Sequence, residues 1–406
     1  MARRRRHRRA AGRSKPAPSP KPIPGPHAFA DLVEPDHVRS QAATLLLIGS
    51  HLRGDPAATE ARARAATARR PPSPAPPAQA IAREDVAAVG FPRMRPSTER
   101  FAPASLERAA VVRFAVRRRP VPAPADVRAA SGTLRRAANT FYRDPNPETA
   151  AALLEISLRH PRELVRVAAA ASYLDVAAIP TLAIGILEHG VGSSDRLTRD
   201  VAATALAHVD PRNRALERLL VPRRRHSRRR PSQTSTIVHG TWGSMSSWWQ
   251  PPTGNFWKYL QDTVDPALYG ADDRFEWSGG YSDVARALAG DDLRQWVHQH
   301  NLEGLDLFTH SHGGSVAMLA SHAGTRMGRL VLLSCPVHWP KYTPDFTRID
   351  KIVSVRVHLD LVILADRGGQ RFRDPRISEH VLPIWFDHFA TQDPGTWEQY
   401  RVQSML

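Results

Sequence analysis

LEGLDLFTHSHGGSVAMLASHAG, residues 302–324, decides how this chain is read. Residues 305–310 look like a buried strand, and the chain restarts as a helix after Gly313 and Gly314. Between the two lies a turn with one hydroxyl, that of Ser311, at its apex. So tight a turn pushes the apex residue toward an unfavourable backbone conformation, and only small neighbours make room for it. The turn would lift the hydroxyl clear of the sheet. An oxyanion formed there would meet the backbone N–H of His312 and the positive end of the helix.

Working outward, strand patterns at 235–239, 273–278, 305–310, 329–334, 353–359 and 379–386 alternate with helix patterns at 254–264, 282–299, 312–323 and 394–402. That alternation is the signature of an α/β fold, a mostly parallel sheet flanked by helices, over residues 234–406. Ligands are then expected beyond the carboxyl ends of the strands.

Thr309-His310-Ser311-His312-Gly313 resembles the nucleophile elbow of the α/β-hydrolase family, the serine esterases and lipases. The family pattern is Gly-x-Ser-x-Gly, and Thr309 departs from it. Three further stretches keep the family's order. TSTIVHGTWG ends a strand in His239-Gly240, where the resemblance implies a second oxyanion donor in the N–H of Thr241. VSVRVHLDLVILAD puts Asp360 just past a strand, at the family's triad acid, with Asp366 as the competitor six residues on. ISEHVLPIWFDHFATQDPGTWEQY leaves His388 in the loop after the last strand, whereas His380 falls within that strand and His358 precedes the acid. The resemblance therefore implies a serine hydrolase cleaving carboxylic esters, small or lipid-like, through an acyl-enzyme on Ser311 with His388 and Asp360. Such chemistry needs no metal and no cofactor. A serine hydroxyl becomes nucleophilic only when an imidazole takes its proton, and a buried carboxylate keeps that imidazole in the right tautomer.

Only about 15 residues separate Cys335 from Lys351, where many family members insert a cap, so no cap is expected. Trp242, Trp248 and Trp249 come after the His-Gly turn and are the candidates for meeting substrate, while Phe256, Trp257 and Leu260 have the spacing of a helix core face. Cys335, the one cysteine, closes an apolar strand and reads as a buried thiol.

The front of the chain is a different material. Residues 231–406 carry 15 Lys+Arg against 19 Asp+Glu and all nine Trp; the residues before them carry 42 against 20. Residues 1–136, rich in Pro, Ala and Arg, read as a mostly disordered basic region with one short helix near 36–54. The alternative is a translation start set too early. From 137 to 222 an Ala-rich helical domain is expected, and LVRVAAAASYLDV from Leu164 aligns with LTRDVAATALAHV from Leu197. That pair resembles HEAT-type helical repeats, which implies either a platform for a protein partner or a small domain packed on the α/β part. The Arg-rich residues 223–233 read as an exposed linker. Basic arms suit an anionic membrane surface; without interleaved aromatic residues they do not suit nucleic acid. No signal peptide or membrane span is visible, which makes the cytoplasm the expected compartment. A second reading is a hydrolase-like binding protein without catalysis, for which Thr309 is the best argument.

Overall fold

Alternation along the strands explains the layering. In β3 (Met327–Leu333), Leu330 and Leu332 face one core while Val331 and Leu333 face another. The same division holds in β2 (Leu305–His310), where Leu305 and Leu307 oppose Phe308. A sheet that is apolar on both faces has to be covered on both, and this one is. The computed structural model describes residues 19–52, 81–94, 127–174, 181–220 and 234–406.

The sheet has five strands, all parallel, in the order β1 (Ser235–Val238), β2, β3, β4 (Ile349–His358) and β5 (Ile377–Trp385). The protein is thus a mixed α/β structure. Strand β1 has only four residues, and its ladder pairs Ser235 to Val238 with Asp306 to Thr309.

One expected strand is absent. Residues 273–278 make no sheet ladder, although Phe275 and Trp277 are buried. Their alternation comes from two rings entering the core, one of them anchored by Trp277 Nε1 donating to the His239 carbonyl at 2.7 Å.

Eight α-helices precede the sheet among the described residues. They are α1 (Pro35–Leu52), α2 (Arg83–Ala88), α3 (Val127–Arg143), α4 (Pro147–Ser157), α5 (Glu163–Tyr173), α6 (Thr181–Val191), α7 (Arg196–Val209) and α8 (Arg214–Glu217). Part of the stretch expected to be disordered is therefore ordered. Helix α1 buries Leu45, Leu47 and Ile48 completely and packs on α5, with Ser172 Oγ donating to the Leu45 carbonyl at 2.8 Å. A lone amphipathic helix looks too small to build a core, but α1 is the centre of a shared one. The rest of the expected disordered region and the linker at 223–233 lie outside the described residues.

Beyond β1 come α9 (Asn255–Tyr259), α10 (Asp283–His300), α11 (Gly313–His322), α12 (Leu361–Ala365) and α13 (Pro394–Tyr400). Helices α1 and α7 pack on α12, and the helical layer shares one apolar cluster with Trp242, Leu361, Val362 and Phe386. Asp85 joins the parts as well, since His358 Nδ1 lies 2.6 Å from its carboxylate. Among the described residues no helix is long and apolar enough to cross a membrane.

Candidate active site

Ser311, Asp360 and His388 each follow the carboxyl end of a strand. Ser311 comes directly after β2 and has φ +52°, the strained apex expected of the turn. Its N–H donates to the Leu333 carbonyl at 2.9 Å, and the Gly314 N–H donates back to the Ser311 carbonyl at 3.0 Å. The need for small neighbours falls on residues other than Thr309. A Cβ on Gly240 would lie 2.7 Å from the Cβ of Ser311, and one on Gly313 would strike the Val238 carbonyl. Thr309 instead points its hydroxyl at the next strand, donating to the Val331 carbonyl at 2.9 Å. A β-branched residue is at home there.

Asp360 lies just past β4 and caps α12. One carboxylate oxygen accepts from the N–H groups of Val362 and Ile363, at 2.9 and 3.2 Å. The other is 2.7 Å from His388 Nδ1. The Gln370 side chain brackets the Asp360 backbone on both sides, at 3.0 and 3.2 Å. Asp360 and His388 are both buried. With Nδ1 donating to the carboxylate, the second nitrogen of His388 is left as the acceptor.

Ser311 and His388 line one cavity of about 240 Å³ together with Thr241 and Trp242. A smaller recess beside it is walled by His312 and Asp366. Among the described residues, the backbone N–H groups of Thr241 and His312 have no hydrogen-bond partner. The Thr241 hydroxyl and Trp242 Nε1 are buried and unpartnered too. Trp242 itself has φ +60°, so the loop after β1 is held in a strained form.

Trp248 lines the cavity and Trp249 does not. Its Nε1 donates to the Gly243 carbonyl at 2.9 Å and its ring lies 4.6 Å from that of His239, so it props the loop from behind. Phe256, Trp257 and Leu260 are core residues. Cys335 is a buried free thiol whose pKa burial pushes up.

Asp366, the competing acid, does not touch His388. Its carboxylate lies 3.1 Å from His312 Nε2 and 2.5 Å from His338 Nε2, and it accepts from the Tyr281 hydroxyl at 2.6 Å. His208 of α7 reaches both the Asp366 carbonyl, at 2.8 Å, and the Tyr281 hydroxyl, at 2.6 Å. Burial alone would raise the Asp366 pKa, but His312 and His338 more than reverse that and hold it well below the usual carboxylate range. Burial presses His312 down to about 4, so its ring is neutral near pH 7. His312, His338 and Asp366 offer three possible metal-ligand atoms within 4.8 Å of one another. Their 2.5–3.1 Å N···O separations are those of hydrogen bonds.

Sequence reasoning missed the roof of the cavity. Arg196, Arg199 and Asp200 of α7 line it, although they lie more than a hundred residues before Ser311. Among the described residues, the front helical layer is what covers the cavity. Compared with family models, curated proteins and solved structures, the chain matches none.

Proposed function

We propose that the protein is a serine hydrolase of the α/β-hydrolase type that cleaves carboxylic esters through an acyl-enzyme on Ser311. The observation that carries this reading is the buried His388–Asp360 pair facing the cavity into which Ser311 is raised.

In the first half-reaction Ser311 Oγ attacks the ester carbonyl carbon while its proton passes to the free nitrogen of His388. The tetrahedral oxygen takes up the electron pair of the carbonyl bond. The unpartnered N–H groups of Thr241 and His312 are the donors available to it, already in place before any charge develops. Collapse expels the alcohol, which takes the proton from His388. Water then repeats the sequence on the acyl-enzyme, giving the carboxylic acid and free Ser311. Asp360 orients the ring and supports the transient imidazolium, its other oxygen held by the two N–H groups of α12.

Incubation with a small fluorophosphonate probe tests the reading. Ser311 should be labelled, and Ser311→Ala should remove the label. Labelling that persists in Ser311→Ala would assign the reactivity to another residue.

A further inference from the structure

The roof of the cavity has a positive charge that no carboxylate of the described residues pairs directly. Arg196 lays its guanidinium over the ring of Phe389, 3.7 Å from the centroid, beside His388. Among the described residues its N–H groups have no hydrogen-bond partner and no carboxylate within ion-pair distance. The charged groups around it are accounted for. Asp200, which also lines the cavity, lies 3.4 Å from Arg199 Nε and attracts Arg196 from beyond ion-pair distance, so it is shared between the two arginines. The Asp387 carboxylate accepts from the N–H of Phe389 at 3.0 Å. Burial disfavours the Arg196 charge, and the attraction of Asp200 and Asp387 does not make up the difference. Arginine keeps its proton, so Arg196 brings a half-buried positive charge to the lining of the cavity that Ser311 and His388 share.

We propose that Arg196 anchors an anion subsite, and that the substrate is a compact ester carrying a carboxylate or phosphate at the end away from the scissile bond. This rests on the hydrolase reading and names its substrate class. The guanidinium fork matches either anion in a two-point contact. An anion there gives the Arg196 fork the charged hydrogen-bond partner that no side chain of the described residues supplies. It also pins one end of the substrate while Ser311 reaches the carbonyl at the other. The size of the cavity, about 240 Å³, agrees. Pockets for drug-sized ligands measure roughly 300–1,000 Å³, so this one suits a short substrate.

The test uses the full chain and three p-nitrophenyl esters of matched length: valerate, hemiglutarate and the phosphonobutyrate counterpart. The anionic esters should exceed valerate in kcat/KM by about 10- to 100-fold, and the better of the two identifies the anion. In Arg196→Gln the ratio should collapse toward one; in Arg196→Lys part of it should remain, and added salt should erode it further. A ratio near one in the parent, or one that Arg196→Gln leaves intact, overturns the subsite. Fluorophosphonate labelling of the same preparations separates the two layers of the reading. Labelled protein without charge preference refutes the subsite alone. Protein that neither labels nor turns over any ester refutes the hydrolase reading beneath it, and the subsite with it.

Discussion

The two ends of α12 hold the same side chain for opposite purposes. At the start, Asp360 receives two backbone N–H groups and one imidazole, and that imidazole faces the cavity. At the end, Asp366 sits where the helix offers only carbonyls, so its donors come from elsewhere: His312 from the turn after β2, His338 from the loop after β3, and Tyr281 from ahead of α10. Helix polarity sorts the roles. A carboxylate with backbone donors can devote its second oxygen to orienting one ring. A carboxylate without them must gather side chains, and in doing so it ties distant segments together. Asp360 thus serves the proposed reaction, and Asp366 the frame behind the elbow.

Exchanging each acid for its amide is the hardest test of that contrast. Asp360→Asn should lower kcat for ester hydrolysis by about 10⁴-fold, because His388 would then settle in the wrong tautomer. Asp366→Asn should cost no more than about 100-fold, through a slightly displaced elbow. Equal losses would erase the distinction. In stability the order should invert, with Asp366→Asn costing about 2–5 kcal/mol in urea unfolding because three donors lose a buried anion. A smaller version of the same change is Tyr281→Phe, expected to cost about 1.5–3 kcal/mol, since its hydroxyl serves both Asp366 and His208.

Acid tests the burial behind the elbow without any substitution. Burial brings His312 and His239 each down to about 4 in the folded protein. Below pH ~6.5 the unfolded chain binds protons that these rings refuse, so stability falls as pH falls, by about 1.4 kcal/mol per unit for each ring, until the folded rings titrate. Asp366 works in the same direction at lower pH, because its depressed pKa adds stability that is lost on acidification. Melting temperatures measured from pH 7 to 4 should decline steadily; a flat profile would contradict the burial of these rings.

What the chain discloses unaided is local. The strand, turn and helix at 305–322 announce themselves because small residues and periodicity act over a few positions, and Ser311 is found at φ +52° as the turn requires. A place just after a strand favours Asp360 over Asp366, and the distance to His388 agrees. Sequence misleads where burial depends on remote partners. Phe275 and Trp277 alternate like a strand but have no neighbouring ladder to join. Trp249 looks like a loop residue until Gly243 and His239 are seen to enclose it. Helix α1 looks solitary until α5 covers it. Nothing in Arg196, Arg199 or Asp200 foretells that they overhang a serine encoded so much later.

That overhang divides labour between two lengths of polypeptide. The proposed catalytic side chains follow strand ends, whereas the proposed selector is one helical turn fixed by its far face. If both proposals hold, substitutions along that turn alter the diet of the protein while its appetite stays the same.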